Sequence, residues 1–136
     1  EVRSMEVSNK VSLVAKEPLF RQFMVAKQRK FGVKGNVVMD GRDIGSVVFP
    51  NATIKFFLEA SMKVRTNRRY AELIEKGVQV SVEEVQANIA KRDHIDSSRD
   101  DSPLIIPENA ILLSNDKEGL TELFNIATSE IDKHLP

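Results

Sequence analysis

The stretch VVMDGRDIGSVVFP, residues 37–50, decides how this chain is read. Its ends are apolar, and between them an arginine and two aspartates are wrapped around glycines. Val37, Val38 and Met39 predict a buried strand that gives out at Asp40-Gly41-Arg42-Asp43, and SVVFP (46–50) predicts a short extended piece after it. Charges in that place matter because open parallel sheets bind ligands at the carboxyl ends of their strands. A plain polar turn, with Asp40 capping and Arg42 paired to Asp43 in water, would use the same residues, so the surroundings must decide.

Outward from this stretch, helices and strands alternate. Val2, Met5, Val11, Val14 and Ala15 have loosely helical spacing over residues 1–16, and Pro18 opens a second helix whose Leu19, Phe23 and Ala26 form an apolar stripe ending near Phe31-Gly32. TIKFFLEA (53–60) predicts a second buried strand. SMKVRTNRRYAELIEKG (61–77) is a helix with Ser61 as N-cap and Gly77 at its end. Ser81 and Glu84 form a capping box that introduces a helix through about Asp93. AILLS (110–114) is a further short strand, and Leu120, Leu123, Phe124, Ala127 and Ile131 stripe a last helix. Strands alternating with helices imply an α/β fold with a parallel sheet.

Composition limits the function. At 136 residues, 41% hydrophobic and 29% charged, the chain has the size of one domain with one core. Twenty basic residues balance twenty acidic ones, so no overall field draws it to a nucleic acid polymer or an anionic membrane, and any anion site is local. No cysteine is present, and His94 and His134 stand too far apart in sequence for a zinc site. No apolar run approaches the roughly 20 residues of a membrane span.

Two more charged groups accompany the opening one. In KRDHIDSSRDDSPL (91–104), Arg92, Asp96 and Arg99 fall at i, i+4 and i+7, one above another if the helix runs that far. The arginines offer planar donor forks for phosphate oxygens or a base edge, and Asp96 an acceptor for a sugar hydroxyl. A salt-bridged solvent face has the same spacing. Arg65, Arg68 and Arg69 crowd one stretch of helix after IKFFL and repel one another, with Glu72 as partial relief; an arriving anion would turn that repulsion into attraction. A basic solvated face is the ordinary alternative.

Taken together, the blocks D-G-R-D-x-G-[ST]-V-V-F-P, K-[FI]-F-L-x-A-S followed by x-x-x-R-x-x-R-R, and R-D-x-x-D-[SR]-x-R closely resemble bacterial cytidylate kinase, a nucleoside monophosphate kinase. The resemblance runs along the whole chain. It implies a P-loop kinase type of fold and transfer of the γ-phosphoryl of ATP, with Mg2+, to CMP or dCMP. By matched position it implies that Ser12, Arg21 and Asp43, with Arg99 beside them, read the cytosine edge. It assigns Arg42 to the monophosphate, Arg92 and Asp96 to the ribose, and Arg68, with Arg69 or Arg65, to a lid over the transferring phosphate. Asp40 would belong to the outer coordination sphere of the metal, with no direct metal ligand on this chain. The lack of cysteine fits a reducing cytoplasm, and the complete enzyme is expected to be a monomer. The same resemblance divides residues 1–136, taken as a single domain, into CMP-side helices (1–32), core strands with the D-G-R-D loop (36–60), lid and base-binding helices (61–103), and a final strand and helix (104–136).

One departure stands out. The family's Walker A loop, G-x-x-x-x-G-K-[ST], grips ATP phosphates with backbone N–H groups and a lysine. The glycines here, at 32, 35, 41, 45, 77 and 119, do not make it. With Glu1 in place of an initiator methionine, the sequence reads as the carboxyl-terminal part of a longer kinase, holding no ATP tightly by itself. In the family the Walker A strand separates the strands matching 37–39 and 54–58, so those two would either meet directly or want a partner. The alternative function is a non-catalytic module that binds pyrimidine monophosphates or serves for interaction. Shikimate and adenylate kinases are disfavoured, because the D-G-R-D and R-D-x-x-D blocks are not theirs.

Overall fold

A computed structural model describes residues 5–15, 17–116 and 119–134. In chain order these form α1 Met5–Ala15, α2 Pro18–Gly32, a π-helical turn Ile44–Val48, β1 Phe56–Glu59, α3 Met62–Glu75, α4 Val82–Ser98, β2 Ile111–Ser114 and α5 Leu120–Asp132. Val2, and the side chains of Met5 and Ser12, lie outside the described parts.

The helix boundaries follow local chemistry. Pro18 occupies the first turn of α2, where its missing N–H removes no bond. Ser61 caps α3, its Oγ accepting from the Val64 N–H at 3.4 Å. At the other end Gly77 takes φ +73°, its N–H donating to Ile74 O at 2.9 Å while Val78 N–H donates to Leu73 O at 3.0 Å. That pair of bonds is the Schellman ending, and it needs a left-handed residue. Gly77→Ala is therefore expected to lower stability by about 1 kcal/mol, read as an earlier thermal unfolding midpoint. The capping box of α4 is complete: Ser81 N–H donates to Glu84 Oε2 at 2.8 Å and Glu84 N–H to Ser81 Oγ at 3.1 Å. The helix then continues past Asp93 to Ser98, longer than its pattern predicts.

Two expected strands are corrected. Residues 36–40 form no strand, because an extended segment needs a ladder and none is available to it among the described residues; Val38 is left fully exposed. Residues 46–50 are not extended either. Val47 and Val48 N–H both donate to Asp43 O, at 2.9 and 3.2 Å, and Phe49 N–H donates to Ile44 O at 2.7 Å, which winds this piece into the π-turn. The strands that do form are parallel: Phe56, Phe57, Leu58 and Glu59 stand opposite Ile111, Leu112, Leu113 and Ser114. The intervening crossover carries α3 and α4, as parallel pairing requires.

The chain divides into two compact units, Glu1–Pro50 with Ala90–Ile105, and Asn51–Ile89 with Ile106–Pro136. The second has an ordinary apolar interior: Leu73, Val85, Leu113 and Leu123 are buried there. Two strands cannot cover both of their faces, and Leu58, Leu112 and Phe124 stay more than half exposed. The first unit is different. Among its described residues Val48 is buried, and so are Arg21, Asp43, Asp96 and Ser102. The face of α2 turned inward carries Arg21, while the predicted stripe residues Leu19 and Phe23 are exposed at 82% and 57%. Charged groups are almost never buried without partners, so this unit is organised around a polar cluster. Among the described residues no helix is long and apolar enough to cross a membrane.

Candidate functional site

The polar cluster is assembled by four segments of the first unit: α2, the loop leading into the π-turn, the second half of α4 and the loop that follows it. From α2, Arg21 lies with its Nη2 against Asp43 Oδ2 and its Nη1 donating to Ala15 O at 3.2 Å. Both partners of the Arg21–Asp43 pair are about nine-tenths buried. From α4, Asp96 gathers three arginines. Arg42 Nε is 2.9 Å from Oδ2, Arg99 Nη1 is 3.2 Å from Oδ1, and Arg92 Nε is 3.8 Å from Oδ2. Arg42 also reaches Asp93 Oδ1 at 3.4 Å.

The helical spacing works as the sequence suggests, with one adjustment. α4 carries Arg92 and Asp96 one turn apart on one side, but it ends at Ser98, so Arg99 approaches Asp96 from the following loop. That loop is held in place by Arg99 Nε donating to Ser102 O at 2.6 Å and by Leu104 N–H donating to Asp96 O at 2.7 Å. Ser102 sits at φ +54°, a strained value for a serine, and its Oγ donates to Asp101 Oδ1 at 2.6 Å.

Charge and unmet hydrogen bonds give the cluster its character. Arg21, Arg42, Arg92 and Arg99 face Asp43, Asp93 and Asp96: four positive groups against three negative, a surplus of one. Burial pushes the Arg99 guanidinium below its ordinary pKa and the nearby Arg21 charge adds to this, while Asp96 and Asp43 oppose it. Arg21 Nε and Arg99 Nη2 are buried with no acceptor. A buried donor without an acceptor is costly, and both of these donors lie in a cluster with a surplus of positive charge.

The remaining predicted residues are placed as follows. Asp40 is exposed, and among the described residues no group of three or more His, Cys, Asp or Glu side chains is arranged to hold a metal ion. The Ser12 side chain lies outside the described ones. Arg65, Arg68 and Arg69 belong to the second unit and turn to different partners. Arg65 Nε donates to Ala60 O at 2.9 Å, and Arg68 Nη2 donates to Asn115 O at 2.9 Å and to its Oδ1 at 3.0 Å. Arg69 Nη1 donates to Glu72 Oε2 at 2.7 Å. Beside them, at the carboxyl ends of β1 and β2 and the start of α3, Glu59, Ala60, Ser61, Ser114 and Asp116 line an open hollow, with Ser61 N–H donating to Asp116 Oδ1 at 2.6 Å.

Glu72 is fuller relief for its arginine than the sequence suggests. Hydrogen bonds from Lys76 and then Arg69 pull its pKa from 4.5 to about 2. A lowered folded-state value means that the pair stabilises α3 above pH 4.5 and that this support fades as pH falls from 4.5 toward 2. Carboxyl-carbon NMR titration is expected to show a Glu72 midpoint near 2, rising in the Arg69→Gln variant.

Sequence reasoning missed Asp93 and Ser102. Asp93 carries the same i, i−3 relation to Asp96 that helical spacing allows; Ser102 acts through its backbone and leaves no signal except the proline after it.

Comparison with known proteins adds the following. A family model described as cytidylate kinase matches residues 1–133. A cytidylate kinase of Caldanaerobacter subterraneus subsp. tengcongensis is 54% identical over 122 residues, covering 90% of this chain and 54% of that protein. One from Clostridioides difficile is 47% identical over 132 residues, 97% of this chain and 61% of that protein. A bifunctional pantoate ligase/cytidylate kinase of Trichodesmium erythraeum is 49% identical over 123 residues, 90% of this chain and 23% of that protein. The chain spans about half the length of the single-function relatives it matches.

Proposed function

Since this chain belongs to the cytidylate kinase family, we propose that it supplies the acceptor pocket of a kinase that moves the γ-phosphoryl of ATP onto CMP or dCMP. The observation that carries this is the buried cluster of the first unit, with its surplus positive charge and its two unmet donors.

Phosphoryl transfer asks a protein mainly for position and for cations around spreading negative charge. Arg42, braced by Asp93 and Asp96, is aimed by two carboxylates and takes the acceptor's monophosphate. Asp96, with Arg92 a turn before it, takes the ribose hydroxyls. Arg21 and Asp43 take the base: one Asp43 oxygen is occupied by Arg21, the other accepts from the exocyclic amine of cytosine, and the unmet Arg21 Nε donates to a ring acceptor beside it. Uracil presents a carbonyl where cytosine has the amine, so it would set an acceptor against the carboxylate. Arg99 and Ser12 complete the base side.

The lid arginines are Arg68, with Arg69 or Arg65, all carried by α3 of the second unit, where Arg65 and Arg68 bond to the carbonyls that follow β1 and β2. Mg2+ bound to the triphosphate would offset its negative charge, and no direct ligand for it is assigned to these residues. The kinase works as a cytoplasmic monomer.

A coupled assay of ADP release by the intact protein tests the reading: CMP and dCMP are accepted, and UMP at least roughly a hundredfold less well. Equal use of UMP, or no use of either, contradicts it. A second reading is a pyrimidine-monophosphate-binding module without transfer. Calorimetry in which CMP binds and ATP does not would select it.

A further inference from the structure

The base-reading assignment of Asp43 leaves a physical problem: Asp43 sits on a loop, and a loop carboxylate must be held to read one base against another. The π-turn that follows it is a wide, seldom-used winding that is frequent at functional sites. Its start is fixed by Asp43 itself, whose carbonyl accepts from Val47 and Val48 N–H at 2.9 and 3.2 Å. Its last carbonyls have no partner within the turn. Arg29 takes them: its Nη2 donates to Val47 O at 2.7 Å and its Nε to Val48 O at 3.2 Å. One edge of one guanidinium thus spans two successive carbonyls, a fit that needs the planar fork of arginine.

Arg29 lies two turns beyond Arg21 on α2, so the same helix grips the loop at both ends, at the Asp43 carboxylate and at the exit of the turn. Gly32, less than one turn on, completes the seat. A Cβ there would lie 2.4 Å from Phe49 Cε1, so the Phe49 ring rests directly on the helix backbone. We infer that Arg29 is a positioning residue for cytosine selection, setting the Asp43 carboxylate by clamping the exit of the π-turn against α2. The inference rests on the reading of Asp43 as the base-contacting carboxylate.

The test uses the intact protein with Arg29→Gln and Arg29→Lys, and two readouts. Hydrogen exchange at the Val47, Val48 and Phe49 amides reports the clamp and is expected to speed up in Arg29→Gln. Steady-state kinetics report its purpose: the KM for CMP rises roughly tenfold and the preference for CMP over UMP falls by a similar factor, the loss of about one charged hydrogen bond. The KM for ATP and the rate at saturating CMP stay near wild type. Arg29→Lys, which can reach one carbonyl at a time, recovers part of both. Unchanged amide exchange overturns the clamp. Faster exchange with KM and base preference unchanged overturns the positioning role. A wild-type protein with no preference for CMP over UMP sinks the Asp43 reading itself, and the positioning role with it, while the exchange data still decide whether the clamp exists.

Discussion

Asp96→Asn is expected to destabilise the protein by about 3 to 5 kcal/mol and to weaken CMP binding by roughly a hundredfold or more, because it removes the charge of a buried carboxylate whose partners stay behind. The Asp96 side chain is 3% exposed, and three guanidinium groups converge on it at 2.9, 3.2 and 3.8 Å. Asparagine has the same shape, so the loss isolates charge from packing. Without the carboxylate, the buried Arg99 loses its counterion, Arg42, Arg92 and Arg99 repel one another, and Arg42 keeps Asp93 to aim it. Urea unfolding gives the first quantity and calorimetric titration with CMP the second. Wild-type values for both would show that the carboxylate is not the counterion on which the cluster is built.

The second large effect is on choice of base. Asp43→Asn is expected to cut the preference for CMP over UMP by about ten- to a hundredfold, the usual worth of a paired edge contact. An amide can turn its NH2 toward the uracil carbonyl, which a carboxylate cannot do. The turn after Asp43 is wound on its backbone carbonyl, so the substitution leaves that bond in place while stripping Arg21 of a buried partner. The ratio of kcat/KM for CMP and UMP measures the effect. A ratio that survives the substitution would move base reading to other residues.

Local signals in the sequence were legible where the physics is local. The Ser81 and Glu84 capping box, the Ser61 cap, Pro18 and the Gly77 ending each involve atoms within a few residues, and each appears in the structure with its expected bonds or position. The strand predicted at 37–39 depended on a neighbour that the residues themselves do not specify. An apolar run states that a segment is compatible with burial, not what will pair with it. The piece at 46–50 went the other way for a similar reason: its winding is closed by Arg29, eighteen and nineteen residues before the two carbonyls it holds, through main-chain groups that no side-chain pattern can advertise.

The cluster itself was partly legible. Helical spacing put Arg92 and Asp96 on one side of α4, and the glycine-flanked D-G-R-D pointed to a site. Spacing alone did not say that Arg21, from a helix with an exposed apolar stripe, would turn inward to meet Asp43. The apolar stripe of α2 obeys its period but faces outward in this structure, and the helix is held by its polar side instead. Hydrophobic periodicity locates a helix; it does not say which face has the stronger partner.

Arginine side-chain NMR tests most directly whether four guanidinium groups and their aspartates close around one pyrimidine nucleotide. The Nε–Hε resonances of Arg21, Arg42, Arg92 and Arg99, each assigned through its lysine variant, are predicted to shift together and saturably on addition of CMP to the intact protein. Those of Arg21 and Arg99 should shift least with UMP. If CMP leaves the four unmoved, or moves only arginines outside the cluster, the nucleotide binds elsewhere and the central claim is contradicted.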